Sequence, residues 1–262
     1  MSEHALVSDA RVAQGLVKGI VLAGGEGKRL RPLSYYFQKC MIPIGNVQKP
    51  LLEYIIRLLK YHGIIDIAML VGYKHEQIVN YFNNGRRFGV ELTYMRDDPD
   101  LKGTGGSVLN VYRNGLLKPD EDLVVYYGDI VSNVDLSVML QYHRQRGATA
   151  TLALSKGYQV RVGVADVQDG DITSWREKPQ LDINVGIGVM ILRATAIHEL
   201  DCLSQHAPEL DLMSDLIPYL IRRGETIGAY LTDAFWYDVG SAEMYEKLDN
   251  GLVEQHLGYL VP

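Results

Sequence analysis

Apolar runs and helical spacings alternate along the first half of the chain. Residues 18–22 form a strand-like apolar run, followed by a glycine-rich loop. After Pro50, "LLEYIIRLLKYHG" carries apolar residues at helical spacing and stops at Gly63, with proline welcome in a first turn. "DIAMLVGY" predicts a second strand and "KHEQIVNYF" a second helix. "ELTYMRD" predicts a third strand, "GGSVLNVYRNG" a helix, and "DLVVYYGD" a fourth strand ending at Asp129. "DLSVMLQYHRQRG" then reads as a helix and "ATATLALS" as a strand. This βαβ alternation predicts an α/β fold: a Rossmann-like open, mixed but mostly parallel sheet with helices on both faces.

The second half changes character. "VGVADVQDGDITSWREKP" predicts a hairpin turning at Asp169-Gly170, a favoured type I′ pair. "INVGIGVMILR" predicts a strand, "LDLMSDLIPYLIRRG" a helix, and "TIGAYLTDAFWYDVG" a strand pair or bent strand. "SAEMYEKLDNGLVEQHLG" predicts one closing helix, whose stripe of Tyr245, Leu248 and Leu252 suits internal packing or a second subunit. No internal repeat or long linker interrupts the pattern. The expected organisation is an extension over residues 1–17, then one domain over 18–262 with a β-rich region at about 156–240.

Composition narrows the partners. With 262 residues the chain can bury a sizeable core. A formal net charge of -6 provides no basic field for nucleic acid or an acidic membrane surface. No apolar run approaches the roughly 20 residues that span a bilayer. The N-terminal stretch lacks the basic start and long apolar core of a signal peptide. Cys40 and Cys202 have neither pairing nor metal spacing, which fits a reducing cytoplasm and leaves any metal to oxygen ligands.

Against that acidic background, "GIVLAGGEGKRLRPL" sets Lys28, Arg29 and Arg31 beside glycines directly after a strand. Position 30 is Leu, so the dinucleotide fingerprint fails, and no Ser or Thr follows the lysine as in a Walker loop. Lys39 lies downstream in a segment stiffened by Pro32, Pro43 and Pro50. Glycines let backbone N–H groups approach a phosphate, and the cations neutralise it. A solvated loop with scattered charge is the plainer alternative. Asp129, predicted at a strand's carboxyl edge, and the distant Asp238 could together hold magnesium if the fold joins them. A lone Asp at a strand end is otherwise a cap or turn former. Asp98-Pro99-Asp100 and Asp169-Gly170-Asp171 also have the D-x-D form of some metal sites, the second better read as a turn. His75, His143 and His198 fall in predicted helices as surface or satisfied core residues.

The ordered set "LAGGEGKRLRPL", "QKCMIPIG", "QKPLLEY", "LKGTGGSV", "YYGD", "WREKP", "NVGIGV" and "WYDVGS" resembles the sugar-1-phosphate nucleotidyltransferases, from about Lys18 to the start of the last helix. The resemblance implies a GT-A-like nucleotidyltransferase fold, here without the C-terminal β-helix of hexapeptide repeats. It implies that an NTP and a hexose 1-phosphate, of glucose or mannose type, give an NDP-sugar and pyrophosphate with Mg²⁺. Implied catalytic residues are Arg29 and Lys39, and implied metal ligands Asp129 and Asp238. The nucleotide would meet Leu22, Ala23, Gly24, Gly25, Gly27 and Lys28, together with Gly103 and Thr104 in "GTGG", whose N–H groups and flat surface suit a base. The sugar phosphate would meet Gly163, Glu177, Lys178 and Asn184. Without the neighbouring matches, Glu177 and Lys178 read as a hairpin-end ion pair.

The chain departs from the family pattern at Lys28, usually Thr, and at Gln38 and Cys40, where prolines usually flank the lysine. It also departs at Lys102 before "GTGG", and at residues 184–188, where N-A-G and an aromatic are common. These positions bear on the base and the sugar. The partners expected are therefore small molecules, with no nucleic acid or membrane, and a homo-oligomer is left open. Rival readings are a metal-dependent GT-A glycosyltransferase consuming an NDP-sugar, and a non-catalytic nucleotide-sugar-binding paralogue.

Overall fold

The computed structural model describes residues 16–160, 162–205, 207 and 209–261. The expected N-terminal extension lies outside the described residues, except for its last two positions. The first of the sheet strands, β1 (Val17–Ala23), is followed by the short pair β2 (Pro43–Ile44) and β3 (Lys49–Pro50) and by α1 (Leu51–Tyr61). Pro50 stands at the N-cap of α1, one residue ahead of the expected first turn. Gly63 closes that helix in the left-handed region, φ 78°, where a side chain would be strained.

Next come β4 (Asp66–Val71), α2 (His75–Phe82), β5 (Glu91–Arg96), α3 (Gly103–Arg113) and β6 (Asp122–Tyr127). Then follow β7 (Ile130–Ser132), α4 (Leu136–Gln145), β8 (Ala150–Gln159), the hairpin β9 (Val164–Gln168) and β10 (Asp171–Arg176), and β11 (Gln180–Arg193). The chain continues through α5 (Ile197–Ser204), α6 (Ile217–Arg222), β12 (Ile227–Thr232), β13 (Trp236–Asp238), α7 (Ala242–Glu246) and α8 (Asn250–Leu257).

Seven strands form the main sheet in the order β12-β8-β11-β6-β1-β4-β5. Every neighbouring pair is parallel except the two made by β11. Both faces are covered, which is why the central strands read as unbroken apolar runs. In β1, Val21 and Ala23 pack toward α1, α2 and α4, whereas Ile20 and Leu22 pack toward α3, α5 and α6. The same alternation sends Val124 and Tyr126 of β6 to one side and Leu123 and Val125 to the other.

Several expectations need correction. The fourth strand ends at Tyr127, so Asp129 lies in the turn to β7. The predicted closing helix is two helices, because the Asp249 carboxylate accepts the N–H groups of Gly251 and Leu252 and starts α8 afresh. Within it, Tyr245 donates to the Pro43 carbonyl and Leu248 is buried, but Leu252 faces solvent. "LDLMSDLIPYLIRRG" opens with a π-helical turn over 212–216 before α6. "TIGAYLTDAFWYDVG" supplies two strands that never pair: β12 joins β8 and β13 joins β7. The β9–β10 hairpin turns where expected, with Asp169 and Gly170 both at positive φ, but pairs only with itself. His143 is a fully buried core residue whose Nδ1 lies 2.8 Å from the Thr151 hydroxyl.

Candidate active site

At the carboxyl ends of β1 and β6 the sheet opens into a cleft of about 1150 Å³. Open α/β sheets place their ligands at this edge. The loop after β1 lines it with Gly24, Gly25, Gly27, Lys28 and Arg29, and Leu22 contributes from the strand itself. Ala23 does not line the cleft; its side chain is buried in the core. Close approach explains the glycines. A Cβ on Gly25 would come 3.3 Å from the Lys39 ammonium, and one on Gly27 would come 2.9 Å from Lys39 Cβ. Gly27 also has φ +64°. Lys28 leans outward to Glu26 at 3.3 Å and is mostly exposed.

Lys39 is the centre of the cationic side. Its ammonium donates to Asp129 Oδ2 at 2.7 Å, with both side chains largely buried. Burial pulls the ammonium's pKa down, but chiefly the charge and hydrogen bond of Asp129, with a lesser contribution from Asp238, outweigh that and raise it above its ordinary value. Gln38, fully buried, fixes the segment. Its amide donates to the Ala23 carbonyl at 2.6 Å and its carbonyl accepts the Cys40 N–H at 2.6 Å. The residue standing where the family usually has proline thus ties the lysine to the end of β1. Cys40 lies beneath Gly128, and burial pushes its thiol up to about 12, so it remains a neutral packing group.

The distant carboxylates meet through the β7–β13 ribbon. Asp238 pairs with Ile130, the residue after Asp129, and the Val239 N–H donates to the Asp129 carbonyl at 2.9 Å. Asp238 Oδ1 accepts the Gly240 N–H at 2.6 Å, and a Cβ on Gly240 would come 3.0 Å from the Arg29 guanidinium. Arg29, Lys39, Asp129 and Asp238 therefore line one cleft. No group of three or more His, Cys, Asp or Glu side chains suits a metal among the described residues. Two carboxylates suit magnesium, which keeps water and takes phosphate oxygens as its other ligands.

The "GTGG" turn is bound by the chain's own backbone. The N–H groups of Gly105 and Gly106 donate to the Leu210 carbonyl at 2.8 and 3.3 Å, and Leu210 N–H donates to Lys102. The Thr104 hydroxyl donates to Asp211 at 2.7 Å and accepts the Leu212 N–H at 2.9 Å. Gly103, at φ +80°, has the Leu210 backbone against it. Those glycines make room for a strap, residues 209–213, so the N–H groups of Gly105 and Gly106 are not free for a base. Gly103 and Thr104 still line the cleft.

The four residues expected on the sugar phosphate are not brought in. Gly163 is overlaid by the Trp175 indole, Glu177 and Lys178 are exposed where the hairpin ends, and Asn184 is exposed on β11 opposite Lys156. None lines the cleft. The hairpin pairs only with itself, and the β8–β11 register shifts on either side of residues 184–186. Position along the chain therefore does not translate into reach.

Other lining residues were not singled out from the sequence: Tyr127, Asp97, Ser107, Glu209, Asp211 and Met213. The Ser107 hydroxyl donates to Asp97 at 2.9 Å, and Gly24 and Gly72 leave space for the Asp97 carboxylate, which burial pushes above its usual range. Asp98 accepts the Asp100 N–H, the bond of a turn former, though Asp98 also lines the cleft. Only the Asp–x–x pattern opening "DLMSD", a helix-cap signal, pointed toward Asp211.

A glycine loop after the first strand, with cations and two carboxylates lining one cleft at the sheet's carboxyl edge, defines an open α/β protein with a strongly charged cleft. More particularly, the chain belongs to the nucleotidyl transferase family, whose pattern matches residues 18–255. It is 32% identical over 256 residues to a UTP–glucose-1-phosphate uridylyltransferase from Synechocystis, covering 92% of this chain but 64% of that protein. It is 33% identical over 239 residues to a D-glycero-alpha-D-manno-heptose 1-phosphate guanylyltransferase from Aneurinibacillus thermoaerophilus, covering 90% and 98%. The chain thus spans less than two thirds of the first relative and nearly all of the second. Its fold is similar to a solved Bacillus anthracis protein described as a glucose-1-phosphate thymidylyltransferase, with a TM-score of 0.73 at 24% identity over 90% and 94% of the two chains.

Proposed function

We propose that the chain is an enzyme that condenses an NTP with a sugar 1-phosphate of hexose or heptose type, giving an NDP-sugar and pyrophosphate. The observation that carries this reading is the convergence of Arg29, Lys39, Asp129 and Asp238 on one cleft beside the glycine loop. The names of the relatives support it: they act on glucose and heptose 1-phosphates with uridylyl or guanylyl donors. No helix among the described residues is long and apolar enough to cross a membrane, and a cytoplasmic enzyme of small substrates is the setting proposed.

The sugar phosphate oxygen attacks the α-phosphorus in line, and the bond to the pyrophosphate oxygen breaks as the new P–O bond forms. The nucleophile is already an anion, so no general base is needed. The barrier is the meeting of two polyanions, and catalysis is positioning and charge neutralisation. Backbone groups of the Gly24–Gly27 loop cradle phosphate, and Arg29 and Lys39 hold the β- and γ-phosphates. Asp129 and Asp238 would hold Mg²⁺, which when bound neutralises charge at the α-phosphate. Lys39 gives up Asp129 for a phosphate as the nucleotide arrives. Glu177 and Lys178 meet the sugar phosphate once the β9–β10 hairpin moves over the cleft.

The test is pyrophosphate release across a matrix of UTP, dTTP, GTP and CTP against glucose, mannose and heptose 1-phosphates. Release that needs both substrates supports the reading. Release absent from every pair refutes it.

A further inference from the structure

Tyr127 ends β6, two residues before Asp129, and lines the cleft. On one side stands the first turn of α3 with Thr104; on the other runs β11. Gly188 of β11 has φ +70°, and a Cβ there would come 3.3 Å from Tyr127 Cβ and 2.7 Å from Ile130 Cγ1. The absent side chain leaves the tyrosine its place. Leu152, Gly186 and Met190 extend the cleft lining beyond it, toward β8. The phosphate cations lie on the other side of β6, on and after the β1 loop. Tyr127 thus marks the boundary between the phosphate half of the cleft and the half left for the remainder of the second substrate.

The Tyr127 hydroxyl is buried without a hydrogen-bond partner among the described residues. The neighbouring Thr104 hydroxyl, which donates to Asp211 and accepts the Leu212 N–H, lies beside the phenol without a well-directed hydrogen bond to it. A tyrosine phenol keeps its proton near neutral pH, so this hydroxyl is a donor. Phenylalanine would fill the same space without stranding a polar atom, and an unsatisfied buried hydroxyl is a cost that folding alone does not explain.

We propose that Tyr127 is a specificity-determining residue for the sugar: a small swing of its ring brings the hydroxyl onto a ring hydroxyl of the bound sugar 1-phosphate, to which it donates. The inference rests on the function proposed above. An uncharged donor on the β11 side suits a sugar hydroxyl, whereas phosphates are met by the cations across β6. A site built to bond a substrate hydroxyl rejects the analogue lacking it, because the site's own group is then left unpaired.

The experiment compares the wild-type protein with Tyr127→Phe on the parent sugar 1-phosphate and its monodeoxy analogues. The wild type should lose roughly tenfold in kcat/KM for one deoxy position, the factor of a single net hydrogen bond. Tyr127→Phe should lose a similar factor for the parent through the KM of the sugar phosphate, leave the KM of the NTP unchanged, and no longer distinguish the parent from that analogue. Its melting temperature should not fall, since it removes a stranded group. Unchanged discrimination in the variant, or an effect confined to the NTP, overturns the inference while the function stands. Should the wild type turn over no pair at all, the function fails first. Calorimetric titration of both proteins with the sugar phosphate then decides separately, equal affinities overturning the role of the hydroxyl.

Discussion

The two halves of the cleft are built differently. The half proposed for phosphate is tightly tied together: Lys39 holds Asp129, Gln38 clamps the lysine segment to β1, and the β7–β13 ribbon brings Asp238 alongside. On the other side, Gly163, Glu177 and Lys178 flank a hairpin that pairs only with itself, and Asn184 is exposed on β11. A rigid polyanion site lowers the reorganisation needed when charge shifts onto pyrophosphate. A hairpin with Trp175 and Ile172 more than 60% exposed has little packing to hold it in one place. The comparison teaches that preorganisation is concentrated where charge must be neutralised.

The largest expected effect strikes the rigid half. Asp129→Asn keeps an acceptor for Lys39 but halves the carboxylate set, and turnover should fall by about 10³ while the variant still folds, with a lowered melting temperature because the buried Lys39 ammonium loses its counter-charge. Arg29→Ala should cost roughly 3–4 kcal/mol of transition-state stabilisation, about 10²–10³ in kcat. Steady-state pyrophosphate release measures both, and near-full activity in either variant removes that residue from the site.

On the open side, Lys178→Ala should raise the KM of the sugar phosphate by roughly tenfold and alter kcat less, the loss of one charge-assisted contact made after closure. If the KM of the NTP moves instead, the division into two halves is wrong.

The strap offers the smallest and most structural test. Asp211 caps the π-helical turn through the Met213 and Ser214 N–H groups and accepts from Thr104. Asp211→Ala should lower stability by about 1–2 kcal/mol in urea unfolding. Burial alone would raise this carboxyl, but the Thr104 hydroxyl and the two N–H groups outweigh it and hold it below its ordinary value. The folded form therefore binds fewer protons than the unfolded chain. The stability that Asp211 lends is complete above an unfolded pKa of about 3.9 and is lost as pH falls through the lower folded value. Unfolding midpoints of wild type and variant should converge in that acid window; a constant difference between them would sink the assignment.

Much of this fold was legible because its signals are local. Strands buried on both faces need unbroken apolar runs, and α1 needs its stripe and its terminal Gly63; both stand in the chain as written. The closing helix was misread because the Asp249 side chain competes for backbone N–H groups, a short-range effect that apolar spacing does not register. Gln38 could be noted as a departure, but its reach to Ala23 depends on β1 and the lysine segment lying side by side. The fate of "GTGG" was hidden for a similar reason. Glycine signals close approach, and the partner turned out to be the Leu210 backbone, about a hundred residues away.

By itself, then, the sequence determined the alternation of elements, the glycine loop and the presence of cations and acids in order, since each depends on neighbours a few residues apart. Only the tertiary structure decided that Asp129 and Asp238 adjoin, that Lys39 is engaged by Asp129, and that Lys178 stands outside the cleft. Those relations depend on strand pairing and loop path, across 90 residues for Lys39 and Asp129 and more than a hundred for the two acids, and no local periodicity encodes a distance of that kind.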